Sequence, residues 1–249
     1  MRENGRERRP SGPRPPPRRD VGWTEGCLKI FVICTKTQTG LNIRIIFFSN
    51  VAAQEIIRRS YLDRLAGLRD QRRIVKVICG FRYSGKSVLL RQFRDELIRS
   101  GVSGSQIVFL DLDEMIGVVD NGKQLFEAVQ DRAGESPCVL LDGVQSVEGW
   151  QDGVREVRDR LRADVYLTLP PFSVIPEGAL DALGDAEVIT VYPLSFREFL
   201  QRYPASDERG YVERFNEYLD LGGMPYCTIE MGRGNLRMMS DGVFNAILN

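Results

Sequence analysis

The chain has 249 residues, 43% of them apolar, with 34 basic and 34 acidic side chains and no histidine, which is enough for one sizeable α/β core. Without an imidazole it cannot assemble a Ser-His-Asp or Cys-His nucleophile, a histidine-ligated metal or a histidine proton shuttle from its own residues. The overall neutrality hides a split: residues 1–19 hold seven Arg and two Glu, so the remainder is mildly acidic and offers nucleic acid no bulk attraction.

Residues 1–20 are rich in Arg and Pro and carry no apolar side chain beyond Met1. They cannot bury enough surface to offset the entropy of ordering and read as a disordered tail, a basic nucleic-acid arm being the other reading. Residues 21–53 form an extension to which the pattern assigns no architecture, and an upstream start that adds non-native sequence would look the same. Within it, the apolar runs 28–34 and 43–48 can pair as a hairpin and are too short to span a membrane. The prolines at 10, 13 and 15–17 precede any apolar run, so no secretory segment follows the basic start. The cysteines (27, 34, 79, 138 and 227) are odd in number and lack a CxxC pair, as expected of reduced thiols in a cytoplasmic protein.

Beyond residue 54 the pattern becomes regular. A helix is expected over 54–69, a β-branched strand over 73–79, and an amphipathic helix over 86–99 with Leu89, Leu90, Phe93 and Leu97 on one side. Strands follow over 107–112, 138–141, 165–169 and 187–192, with helices over 123–132 and 150–162. Each strand is nearly continuously apolar, and strands alternate with helices. That pattern predicts an α/β fold: three α/β/α layers around a mostly parallel sheet. Trp150, Phe196, Phe199 and Leu200 read as packing residues, and Gly222-Gly223-Met224-Pro225 as a helix stop.

Between the first strand and the helix that follows lies Gly80-Phe81-Arg82-Tyr83-Ser84-Gly85-Lys86-Ser87, which fits GxxxxGK[ST] at every position. The two glycines let the backbone curl until successive amides point at phosphate oxygens, and the helix adds its unpaired N-terminal amides and dipole. Residues 80–88, including Val88 at the end of the loop, are therefore the candidate phosphate cradle. Lys86 supplies charge near the β/γ-phosphates and Ser87 a hydroxyl for Mg²⁺. Such a site also needs a carboxylate on a neighbouring strand to hold the metal through water. Asp142, closing Cys138-Val139-Leu140-Leu141-Asp142, is the candidate.

With these residues in place, the chain from about Arg58 onward resembles the prokaryotic predicted ATPases of the AAA superfamily, in which a P-loop AAA-type domain is followed by a C-terminal domain of unknown function. The resemblance rests on Arg59-Ser60-Tyr61-Leu62, the phosphate loop, the stretch 140–150 around Asp142, Val191-Tyr192-Pro193-Leu194-Ser195-Phe196 and the Gly222-Gly223-Met224-Pro225 segment. It implies an AAA-type ATP-binding domain over 54–205 with ATP and Mg²⁺ as ligands, and a helical segment over 206–249 leading into a truncated C-terminal domain. It also leaves a protein or DNA partner and oligomerisation open, with no membrane role.

Three departures from the family stand out. The family carries a glutamate after the metal-binding aspartate, where this chain has Gly143; a glycine can neither accept a proton nor orient water, so weak hydrolysis is expected. On the next strand, Thr168-Leu169-Pro170-Pro171-Phe172-Ser173 replaces a polar turn that senses the γ-phosphate. Within the loop, Tyr83 and Ser84 stand where the family has an arginine and a small or cysteine-like residue. Candidate replacements for the missing base are Asp111, Asp113 and Glu114 at one strand end and Glu148 beyond Gly143, each of which also reads as an ordinary solvated carboxylate. Arg155, Arg158 or Arg197 could act as an arginine finger, and Tyr61 could lean on the adenine. Gly143→Glu is expected to raise turnover. A nucleotide-regulated interaction module with no hydrolysis, linked to DNA through the tail or the missing C-terminal domain, and a decayed fragment are the rival readings.

Overall fold

A computed structural model describes residues 55–171 and 178–225 in full, together with the backbone of two N-terminal strands. The chain divides into two compact units, Met1–Ala53 and Gln54–Asn249. In the first, β1 (Lys29–Thr37) and β2 (Gly40–Phe48) pair antiparallel, with Lys29 opposite Phe48 and Thr37 opposite Gly40. The paired strands are therefore longer than the two apolar runs indicate. The Arg/Pro-rich residues 1–20 and the stretch 226–249 lie outside the described residues.

The second unit runs α1 (Arg59–Gly67), β3 (Val75–Gly80), α2 (Lys86–Arg99), β4 (Ile107–Asp111), α3 (Gly122–Gln130), β5 (Cys138–Asp142), α4 (Trp150–Leu161), β6 (Asp164–Leu169), β7 (Ala186–Val191), α5 (Phe196–Arg202) and α6 (Glu208–Leu221). The first helix starts at Arg59 rather than at residue 54. The backbone of Ile57 is held extended by the Gln201 side chain, which accepts from Ile57 N (2.9 Å) and donates to Ile57 O (3.0 Å). Gln92 takes the carbonyl of Ile56 in the same way. Side-chain amides thus hold the groups that a helical turn would otherwise use.

Five strands form one parallel sheet in the order β4-β5-β6-β3-β7. Alternation along β3 sends Val75, Val77 and Cys79 to one face, where they pack with Leu125, Phe126 and Val129 of α3 and Trp150, Val154 and Val157 of α4. Ile78 faces the other way, toward Leu62 and Leu65 of α1 and Leu89, Leu90, Phe93 and Leu97 of α2. The result is the expected three-layer α/β/α arrangement, with Trp150 and Phe199 buried as packing residues. No helix among the described residues is long and apolar enough to cross a membrane.

All five strands point their carboxyl ends the same way, and the chain reverses its order beside β3, first laying strands to one side and then β7 on the other. In open parallel sheets that crevice is where ligands bind. The opposite edge is closed by a buried charge pair. Lys76 Nζ donates to Asp164 Oδ1 and to the carbonyl of Gln71, while Asp164 Oδ2 accepts from the Asp70 amide and the Tyr166 hydroxyl. Both charges are almost completely buried, so each depends on the other. Nearby, burial pushes the Cys138 thiol up to about 12, which keeps it protonated and unreactive.

Lys76→Met strips the Asp164 carboxylate of its counter-charge in a dry site. Urea unfolding of this variant is expected to show a loss of about 3–5 kcal/mol.

Candidate functional site

The carboxyl end of β3 opens directly into the glycine-rich turn. A Cβ at Gly80 would lie 2.3 Å from the carbonyl oxygen of Val191, so the close approach of β3 to β7 leaves room for glycine alone. The turn then tightens through an unusual residue: Tyr83 has φ 65°, a left-handed conformation that side chains other than glycine adopt at a cost and that concentrates at functional sites. Gly85 caps α2 in the same region, with φ 93°. The amides of Arg82, Gly85, Lys86 and Ser87 have no acceptor among the described residues, and α2 adds its positive end. Lys86 Nζ spans the mouth, donating to the carbonyls of Gly80 (2.8 Å) and Phe81 (2.9 Å). Burial lowers its pKa, and the carboxylates of Asp142 and Asp113 work against that shift.

The loop is braced from behind by Arg58. Only 5% exposed, its guanidinium donates to the carbonyl of Ser84 (3.1 Å), to the carbonyl of Pro193 (3.5 Å) and through two nitrogens to the Glu198 carboxylate (2.7 and 3.3 Å). Glu198 in turn closes a capping box with Ser195 at the start of α5. Burial pushes the Glu198 carboxyl up, but the Arg58 hydrogen bond, the Ser195 contacts and the Arg58 charge outweigh it and hold the group below its ordinary value. The stretch 191–198, singled out in the sequence for its resemblance, thus bonds to the phosphate loop through one arginine that the sequence reading passed over. Tyr61 packs its ring against this guanidinium (4.5 Å) and accepts from the Tyr192 amide (3.3 Å). The Gly222–Pro225 segment does more than stop α6: the Gly223 carbonyl accepts from the Leu194 amide (2.6 Å), and a Cβ at Gly85 would lie 3.6 Å from Pro225 Cγ.

Asp142 reaches the same edge at the end of β5. It is 5% exposed, and Oδ1 accepts from Thr168 Oγ1 on the neighbouring strand β6 (2.6 Å), while Thr168 Oγ1 accepts from the Gly143 amide (2.8 Å). Thr168 opens the stretch that stands in place of the family's polar turn, and its hydroxyl orients Asp142; the signal was a threonine among the apolar residues that close β6. Oδ2 of Asp142 has no partner among the described residues, which leaves it for the water shell of a cation. A hydroxyl at Ser87 and a carboxylate at Asp142 suit Mg²⁺, a hard cation that prefers oxygen ligands and keeps its waters.

Of the four carboxylates offered as replacement bases, the structure brings one to the loop. Asp142 and Asp113 are the carboxylates that act on the Lys86 ammonium. The Asp113 carboxyl is raised by burial, by Asp111 and by Asp142, with Arg82 and Lys86 opposing. Asp111 sits within the ladder opposite Asp142, and Glu114 follows in the exposed turn beyond it. Glu148 is tied away by its backbone, which bonds to Asp120 and Gly122 at the head of α3. Among the arginines, Arg155 is held by Asp152, and Arg158 by Asp159 and the Leu183 carbonyl.

The profile of the AAA domain family matches residues 72–200. The chain is also 32% identical over 201 residues, 78% of its length, to an uncharacterized protein of Haemophilus influenzae. It spans about half the length of that relative, 49%.

Two outcomes follow from this geometry. Thr168→Val leaves Asp142 Oδ1 and the Gly143 amide without partners, and chemical denaturation should show a loss of about 1–3 kcal/mol, largely recovered in Thr168→Ser. Glu198 has a depressed native pKa, so its contribution to stability is full above the ordinary glutamate range and fades as pH falls through the native value. Glu198→Gln should flatten that acidic limb when melting temperature is followed against pH.

Proposed function

Because the chain belongs to the AAA domain family of P-loop ATPases, we propose that residues 80–88 bind the polyphosphate of ATP, with Ser87 and Asp142 holding its Mg²⁺. The observation that carries this reading is a turn of unpartnered amides at the head of α2, one strand removed from an oriented, buried carboxylate. Backbone amides and the positive end of α2 take the phosphate oxygens. Lys86, which rests on the carbonyls of Gly80 and Phe81, turns its ammonium to the β/γ-phosphates when they arrive. Mg²⁺, when bound, supplies charge neutralisation at those oxygens. Ser87 offers its hydroxyl directly, and Asp142 acts through water with Thr168 fixing its orientation.

With no glutamate after the metal-binding aspartate, the rate of hydrolysis at this site depends on whether another carboxylate positions the attacking water. Gly143 presents no side chain to the attacking water, and a positioned general base is worth about 10²–10⁴ in rate. The same missing side chain favours the second reading, a nucleotide-regulated interaction module in which occupancy matters more than turnover. Phosphate release measured beside ATP affinity separates the two: turnover supports the enzyme, and binding with no release supports the module.

Lys86→Ala removes the ammonium that spans the mouth of the loop without touching the core. Mg²⁺-ATP at a hundred times its Kd should stabilise the unaltered chain by about 2.7 kcal/mol, read as a thermal shift. The variant should melt normally alone and lose that shift. An equal shift in both proteins would place nucleotide binding elsewhere.

A further inference from the structure

Gly143 is not simply a position that has lost a glutamate. Its φ is 76°, and its backbone is held at both ends: the amide donates to Thr168 Oγ1 (2.8 Å), and the carbonyl accepts from Ser146 Oγ (2.8 Å) and Ser146 N (3.2 Å). The direction in which a side chain would leave is occupied. A Cβ built there lies 2.9 Å from Asp113 Cγ, 2.9 Å from Oδ1 and 3.0 Å from Oδ2, closer than real Cβ contacts come. The Asp113 carboxylate therefore lies in the space that a side chain at 143 would fill, and with the Gly143 backbone held it is the exposed Asp113 side chain that would be turned aside.

Asp113 arrives from β4, the strand paired with β5. The ladder runs Asp111 opposite Asp142 and continues with the Leu112 amide donating to the Asp142 carbonyl (2.9 Å). One residue further, Asp113 stands beyond the paired edge, exposed, close enough for its charge and that of the Lys86 ammonium to act on each other. We infer that Asp113 is the catalytic carboxylate of this site: it orients the attacking water and takes its proton in place of a side chain at position 143. This rests on the ATP-binding reading above. In the step, the water oxygen forms a bond to the γ-phosphorus and its proton passes to the Asp113 carboxylate. The bond from the γ-phosphorus to the bridging oxygen breaks, its electron pair leaving on ADP, and inorganic phosphate is the other product.

The glycine and the aspartate are then one device, since only glycine at 143 leaves the carboxylate its place. This reverses the expectation that Gly143→Glu raises turnover: the new side chain enters a left-handed backbone position and meets a carboxylate already there. Gly143→Ala serves as the sharper probe, because it removes no functional group and yet displaces Asp113.

The test uses the full chain with Mg²⁺ and three readouts: thermal shift with ATP, phosphate release, and retention of ADP by gel filtration in the presence of aluminium fluoride, which mimics the phosphoryl group under attack. Asp113→Asn should keep the ATP shift with affinity within about threefold, while release falls about 10²–10⁴-fold and the fluoride complex no longer traps ADP. Gly143→Ala should fail in the same way, and combining the two should cost little more than either alone. Trapping and release within about twofold of the unaltered chain in Asp113→Asn would overturn the assignment, as would loss of its ATP shift, or an unaltered chain that binds ATP but neither traps nor releases. Failure of the unaltered chain to bind ATP would instead overturn the binding reading, and this inference with it.

Discussion

Asp142 comes to the mouth of the sheet on a strand that never touches the one feeding the phosphate loop. β6 lies between them, so the carboxylate and the loop are related only through what β6 carries at its end, and there it carries Thr168. The hydroxyl donates a hydrogen bond to Asp142 and accepts one from the Gly143 amide, which fixes the carboxylate and the turn after it together. Once Gly143 is fixed, the space beside it is fixed too, and Asp113 fills it. Two hydrogen bonds from one side chain thus order the whole acidic side of the crevice.

The basic side is ordered by a different means. The loop holds Tyr83 in a left-handed conformation, which costs free energy. Arg58 supplies the bracing, gripping the Ser84 carbonyl while its charge is met by Glu198 in a largely buried setting. The helix that carries Glu198 is started by a capping box whose serine contacts that same carboxylate. A segment remote in sequence is therefore mechanically continuous with the loop, and the turn after α6 joins that segment where the Gly223 carbonyl accepts from the Leu194 amide. Charges on the opposite edge of the sheet are matched just as closely by Lys76 and Asp164, far from any chemistry.

Much of this was legible from residue order alone. Apolar runs of strand length alternating with helical stripes gave the layers and the parallel sheet, since a strand covered on both faces has no polar side to show. The glycine spacing located the loop, and an aspartate closing an apolar strand located Asp142. The start of the first helix was misread because Ile57 is held extended by Gln201, a partner 144 residues away. Arg58 was passed over for a related reason: one arginine among many looks like a solvated helix face until its partners at 84, 193 and 198 are in view.

The sequence by itself determined the fold class, the phosphate loop and the absence of a glutamate after Asp142, because periodicity and short-range motifs are written in neighbouring residues. Only the tertiary structure decided what lies beside Gly143, the Asp113 carboxylate. Choosing among Asp111, Asp113, Glu114 and Glu148 needs the strand register and the direction of a missing Cβ, and both are set by hydrogen bonds between chain segments far apart in order. A glycine reads as a loss in one dimension; in three it is the space that the Asp113 carboxylate requires.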